Sequence, residues 1–514
     1  MTSAPLILSI DQGTTNTKAI LVDAGGAIRH RASRPVRPTF PRPGWVEIDP
    51  VQLWKSVYGT AHDCLEAAGH PRLTGIALAN QRESVMMWDR KTGAPAGPVV
   101  VWQCRRTSSF CRDLRDRGVE KTIRRRTGLP IDPLFSASKL RWLVDHAPDG
   151  RRRAEAGELA AGTVDSWILW NLTGGAVHAT DASNASRTQL FNLETRSWDE
   201  ELLMLFDVPE SLLPRIESSN ALFGETAGAD GIPAGVPIAG VLGDSHAALL
   251  GHRAFAPGTV KATYGTGSSL VSPVPELILP DDGLVATVAW QLGGRTTYAI
   301  EGNISVTGSA IDWCTELLNL ENASETIALA TTVSSSDGVY VVPAFVGLGA
   351  PHWKDDARGL ITGITRSTGP AQIARAVLES VAYQVRDVFE AMDGSMRAEA
   401  SELLADGGAS RSDALMQIQA DLLGRAVVRN NAEDLSALGA AYAAGLGLGI
   451  WSSTDEIDAL PRDLDRFEPS CTDAERREGI AGWNAAVART IFSTDADHTP
   501  SDEQTAPAQE VSTR

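Results

Sequence analysis

Cysteine is scarce in this chain, with five in 514 residues, at positions 64, 104, 111, 314 and 471. The number is odd, there is no CxxC pair and no zinc-ligand spacing, so neither a disulfide framework nor a structural zinc site is expected. Reduced thiols in a cytoplasm are. Long apolar runs are missing as well. No stretch reaches the roughly 18 apolar residues of a membrane span, and no basic segment leads into an apolar one near the start, so no membrane association is expected. Positive charge is in deficit: 46 Lys and Arg stand against 64 Asp and Glu, a formal net charge of −18. Such a surface argues against nucleic acid or an anionic membrane as the main partner, and any phosphate must be held by local groups. What remains is a composition of 43% hydrophobic and 21% charged residues, that of a soluble globular protein, on a chain too long for one core. Two domains are expected.

The opening segment, SIDQGTTNTKAILVDAGGAI at 9–28, stops a buried strand at an aspartate and turns through glycine and polar residues. APLILSI, KAILVD and GAIRHRA read as an antiparallel meander around the turns DQGTTNT and AGG. The pattern returns at 259–274, where TVKATYGTGSSLVSPV again sets a Gly-Thr turn between two strands. Between them, GDSHAALLGH at 243–252 passes from a glycine turn into a small-residue helix, and a domain boundary is expected near residue 250. In the second half Ile373, Val377, Val381 and Val385 recur at four-residue spacing, predicting a helix that starts at Thr368 or Pro370. The segment from 493 to 514 has little apolar content and should be a disordered tail.

A short Gly-Thr turn is a weak signal by itself and could be an ordinary polar hairpin. Three such turns at strand ends, DQGTTNT, TYGTGSS and LADGGAS at 404–410, suit a nucleotide in a crevice between domains. In the first, Gly13 permits close backbone approach, Thr14, Thr15 and Asn16 offer amides and polar side chains to phosphoryl oxygens, and Lys18 adds a positive charge. Asp11, at the strand end, is placed to hold Mg²⁺ through water.

The segments DQGTTNTKA, PGWVEIDP, NQRESVMMWD, VVWQCRRT, GTVDSWILWNLTGG, TDASNASRT, YGTG, YVVPAFVGLGAPHW, ARGLITGITR, DGGAS and ALGAAYAAG follow one another from about residue 6 to about residue 490. In this order they resemble the glycerol kinases of the FGGY carbohydrate kinase family. The resemblance implies the actin-like ATPase (ribonuclease H-like) α/β fold: two domains, 1–250 and 251–492, each with a mixed five-stranded sheet flanked by helices, closing on ATP, Mg²⁺ and a small polyol. A homodimer is the expected assembly. By the same resemblance Asp244 is the catalytic carboxylate facing the reacting hydroxyl, and it is the second carboxylate, with Asp11, toward a water-mediated Mg²⁺. Arg82 and Glu83 would bind the acceptor's hydroxyls from two sides, and Trp102 would form an aromatic wall. Thr266, Gly308, Gly408 and Ala409 fall at positions around the phosphates and adenosine. His246, beside Asp244, is read as a satisfied structural histidine.

The departures concern the acceptor. Leu134 stands where tyrosine is usual, Ser245 where glutamine is usual and Ser269 where phenylalanine is usual, which together leave room for a longer polyol such as a tetritol or pentitol unless neighbours fill the space. On the nucleotide side Asp312 and Asp413 replace glutamine and asparagine and, when ionised, only accept hydrogen bonds. Three readings therefore stand: ATP-dependent phosphorylation of a terminal hydroxyl of glycerol or a related small polyol, the same reaction on a larger polyol or a ketose, and a non-catalytic ATP-binding scaffold. In glycerol kinases inhibited by fructose 1,6-bisphosphate, a glycine-rich loop with an arginine precedes the catalytic aspartate. The corresponding segment here, 227–244, contains no basic residue. Fructose 1,6-bisphosphate at millimolar concentration is therefore expected to leave initial rates and sedimentation unchanged. Saturable inhibition with a change of assembly state would refute this.

Overall fold

The computed structural model describes residues 4–228, 231–280, 283–354, 356–396 and 399–497. Residues 229 and 230, inside the segment expected to lack an effector site, lie outside the described residues. The opening meander is present as β1 (Leu6–Gln12), β2 (Asn16–Asp23) and β3 (Ile28–Pro35), paired antiparallel in that order. Gly13 N donates to Asn16 O at 2.9 Å and closes the first turn. β4 (Gly75–Asn80) lies parallel to β1, β6 (Pro237–Gly243) parallel to β4, and β5 (Leu222–Glu225) runs antiparallel along the edge. Alternation sorts the side chains of this sheet into two cores. Leu8, Ile10 and Leu21 join Leu53 and Val57 of the helix Pro50–Ala67, while Ile7, Ile20 and Val22 join Ala440, Ala441 and Tyr442 of the helix Leu435–Gly447. A strand covered on both faces reads as continuously apolar, which is why β1 and β4 show so little polar alternation.

The second sheet begins after residue 258. It contains β7 (Thr259–Tyr264), β8 (Ser268–Val274), β9 (Val285–Leu292), β10 (Arg295–Ile304), β11 (Glu402–Asp406), β12 (Ala426–Asn430) and β13 (Leu464–Phe467), in the spatial order β9-β10-β8-β7-β11-β12-β13. The same arrangement of three antiparallel strands continuing into two parallel ones occurs in both halves, as β3-β2-β1-β4-β6 and β10-β8-β7-β11-β12. The expected five-stranded sheet is thus present twice, extended by β5 in the first half and by β9 and β13 in the second.

One expected helix start holds, at Pro370, and one expected boundary moves. The helix Pro370–Ser395 is capped by Gly369 rather than Thr368, with Gln372 Oε1 accepting from Gly369 N at 3.1 Å, while Thr368 Oγ1 is engaged by Thr365 N at 2.9 Å. The helix Asp473–Asp497 runs past residue 492, because its first breaker is Pro500. Residues 498–514, the remainder of the expected tail, lie outside the described residues.

One late element crosses back. The helix Leu435–Gly447 packs on β1, β4 and β6 and against the helix Asp244–Gly251. The approach of these two helices is set by Gly439: a Cβ there would lie 1.8 Å from Ala247 O and 2.7 Å from Gly251 N. A Gly439→Ala variant must separate the helices and should lose about 1–3 kcal/mol in urea unfolding. Gly394→Ala, where a Cβ meets nothing within 4 Å, should be neutral or slightly stabilising. Equal effects of the two would remove the close approach as the cause.

Candidate active site

The three glycine turns converge. A cleft of about 690 Å³ between the two sheets is lined by Asp11, Gly13 and Lys18 at the β1–β2 hairpin, by Asp244 and Ser245, and by Thr263, Asp406, Gly407 and Gly408 from β7 and the end of β11. Gly407 has φ +93°, and a Cβ on it would lie 2.5 Å from Tyr264 O, so only glycine lets the third turn press against the end of β7. The second turn is held from behind. Thr266 O accepts from Thr307 N at 3.0 Å and Ser309 N at 3.1 Å, and Gly308 N donates to Gly265 O at 3.0 Å. The Gly308 amide is therefore committed inside the protein, while the Thr266 side chain stays exposed.

Other expected nucleotide contacts lie further out. Thr15 and Asn16 are exposed at the hairpin tip, and Asp312 is exposed on the helix Gly308–Leu317. Ala409 opens a short 3-10 turn. Asp413 is exposed, but its carboxylate is paired with Arg429 Nη1 at 2.8 Å, a partner that local sequence does not reveal.

The acceptor residues form a different kind of structure. Arg82 faces Asp244 with Nε 3.3 Å from Oδ1 and gives both terminal nitrogens to Glu301, at 2.6 and 3.0 Å. Arg187 Nη2 reaches the same Glu301 at 3.3 Å, and its Nε donates to Glu83 Oε1 at 2.6 Å. Side chains 82, 83, 187 and 301 are 8, 6, 1 and 0% exposed. Glu83 also sits at φ +60°, a left-handed conformation that an ordinary residue keeps only when its surroundings impose it. Trp102 Nε1 donates to Thr14 Oγ1 at 2.9 Å, tying the aromatic wall to the first phosphate turn. Beneath them the buried Lys139 donates to the carbonyl oxygens of Leu134 and Trp102 (the latter at 3.4 Å), and burial pushes its pKa down to about 8.

Arg187, Glu301, Lys139 and the buried Lys261 are absent from the sequence reading. The available signal was a charge inside an otherwise buried strand or helix, such as Glu301 in YAIEGNI and Lys261 in TVKATY. His246 is a correction. Its ring has no solvent exposure, yet neither ring nitrogen has a hydrogen-bond partner, so it is not satisfied. Burial, followed by the charge of Arg82, pushes its pKa well below the ordinary value and keeps the ring neutral.

The three small acceptor-side residues separate. Leu134 packs, as does Trp353, against an apolar cluster of Leu129, Phe135 and Val285. Ser245 lines the nucleotide cleft. Ser269 has a buried Oγ without a hydrogen-bond partner.

Charge in the cleft is unbalanced. Asp11 Oδ1 is buried without a hydrogen-bond partner, and burial together with the nearby Asp244 carboxylate raises the Asp11 pKa to about 7. Burial likewise raises Asp244, against the opposing charge of Arg82. Lys18 is paired at 2.8 Å with Asp434, across the floor of the cleft. Glycine turns from two sheets, a carboxylate at their junction and buried charged side chains beside it form an arrangement that suits phosphoryl transfer.

The N-terminal domain of the FGGY family of carbohydrate kinases matches residues 6–251, and its C-terminal domain matches residues 260–448. The chain belongs to this family. FGGY carbohydrate kinases are ATP-dependent phosphotransferases, and no described helix of this one is long and apolar enough to cross a membrane. It is similar to the glycerol kinase of Alcanivorax borkumensis, 48% identical over 94% of this chain and 98% of that one, and to glycerol kinase 2 of Thermotoga maritima, 46% identical with the same coverage. Among solved structures, Plasmodium falciparum glycerol kinase with ADP superposes with a TM-score of 0.90 at 31% identity, covering 95% of this chain and 98% of that one.

The Asp11 position makes a pH-dependent prediction for the ligand-free kinase. Folded Asp11 holds its proton up to about pH 7, whereas in the unfolded chain it ionises near 3.8. The folded state therefore binds the extra proton between these values, and stability falls as pH rises through them. Urea unfolding from about pH 4 to about pH 8 should show wild type losing stability relative to Asp11→Asn up to about pH 7 and levelling off above it. A difference independent of pH would mean that Asp11 is already ionised when folded.

Proposed function

We propose that this FGGY kinase transfers the γ-phosphoryl group of ATP to a terminal hydroxyl of glycerol, giving glycerol 3-phosphate and ADP. One observation carries the reading: Asp244 lines the nucleotide cleft and at the same time lies 3.3 Å from Arg82, so one carboxylate serves both compartments. The named glycerol kinases with 46–48% identity over almost the whole chain support the acceptor.

Phosphoryl transfer asks the protein mainly for alignment and charge neutralisation. Asp244 orients the attacking hydroxyl and takes its proton late in the transfer, a role that its raised pKa favours. Arg82 donates to the acceptor's hydroxyls, Glu83 accepts from them, and Trp102 excludes water from the carbon chain. The β1–β2 turn with Thr14, Thr15 and Asn16, and the turns at Thr266 and Gly408, surround the phosphates with amides and hydroxyls.

A magnesium ion fits the residues present, since Asp11 Oδ1 is orphaned and the Asp11 and Asp244 carboxylates repel each other until a cation comes between them. Asp11 and Asp244 would hold it through water, and it would neutralise phosphate charge. The homodimer and the cytoplasmic setting belong to the same proposal.

ADP release measured with glycerol, tetritols, pentitols and xylulose tests the acceptor, and glycerol should give the highest kcat/KM. Asp244→Asn should lower kcat by roughly 10²–10⁴-fold while ATP binding, followed by calorimetry, survives. Retention of turnover within about tenfold of wild type would remove Asp244 from the role.

A further inference from the structure

Glu301 belongs to none of the phosphate turns, yet both acceptor-binding side chains depend on it. It lies on β10, in the half of the chain opposite Arg82, Glu83 and Arg187, and its carboxylate has no exposure to solvent. Oε2 accepts from Arg82 Nη1 at 2.6 Å and Oε1 from Arg82 Nη2 at 3.0 Å, a two-pronged pairing that fixes the plane of the guanidinium group. Oε1 also accepts from Arg187 Nη2 at 3.3 Å and from Asn303 Nδ2 at 2.8 Å. Arg187 carries the arrangement on, with Nε donating to Glu83 Oε1 at 2.6 Å. With both terminal nitrogens of Arg82 taken by Glu301, Nε is the edge turned toward Asp244. Without the Glu301 charge, Arg82 and Arg187 would be two buried cations drawn onto the carboxylates of Asp244 and Glu83, the groups the acceptor needs.

Resting on the polyol-kinase reading above, we propose that Glu301 is a positioning residue. From the second half of the chain it sets the Arg82 plane directly and the Glu83 carboxylate through Arg187, so the acceptor grip is complete only when the two halves are together. Glu301 touches neither acceptor nor phosphate. Its effect is on how well the acceptor is held, and the nucleotide turns, which are built from other residues, do not feel it.

The test is steady-state kinetics of the full-length wild type, Glu301→Gln and Glu301→Asp, with glycerol varied at saturating ATP and then the reverse, and thermal unfolding in parallel. Glu301→Gln keeps the shape and removes the charge; Glu301→Asp keeps the charge and withdraws it by one methylene. Both should raise the KM for glycerol at least about tenfold while the KM for ATP stays within about twofold of wild type. A purely structural role gives the opposite split, with fewer active molecules and both KM values unchanged. Glu301→Asp with a wild-type glycerol KM overturns the proposal, and this variant decides the matter if Glu301→Gln fails to fold. If wild type turns over no acceptor in the polyol and sugar panel, the functional reading fails first and the positioning role falls with it.

Discussion

Three carboxylates and two arginines run through the centre of this kinase in one connected chain, Asp244–Arg82–Glu301–Arg187–Glu83, and most of it is cut off from water. Charges so placed are tolerated only when each has a partner at hydrogen-bond distance, because their desolvation is otherwise uncompensated. Glu301 comes from the second sheet and the other four from the first half of the chain, so the buried Glu301 carboxylate is neutralised by arginines of the opposite half. The apposition that satisfies these charges also sets Asp11 and Asp244 opposite the turns of β7 and β11.

The need for distant partners explains what could be read along the chain and what could not. The hairpins were legible because period-two strands broken by Gly-Thr turns are local signals, and the repetition of the turns pointed to a crevice. Asp244 was legible through the family resemblance, since the turn and small-residue helix around it would by themselves read as a helix cap. Partnership was not. Arg82 and Glu301 are 219 residues apart, and nothing near either one says that they meet. The same limit applies to Asp413, which looks free to contact a base until Arg429 is seen beside it, and to His246, whose lack of any partner only packing reveals.

Acceptor size is a question of volume, which composition alone does not answer. Three substitutions to smaller or less polar residues suggest a wider pocket; in the structure Leu134 and Trp353, distant in sequence, pack against one apolar cluster, and Ser245 lines the cleft beside Asp244. A deleted side chain enlarges a pocket only if no neighbour reaches into the space. Ser269 keeps a buried Oγ without a hydrogen-bond partner.

The helix Leu435–Gly447 has a consequence for how the protein is made. It supplies Ala440, Ala441 and Tyr442 to the face of the first sheet formed by Ile7, Ile20 and Val22. During synthesis the strands of that sheet leave the ribosome early, but their covering helix follows almost two hundred residues after β6. Until then an apolar face stands open to solvent, a state prone to aggregation. The nascent chain thus completes its first domain only once residues 435–447 have followed the whole second sheet but its last strand, and the two halves mature as a single unit.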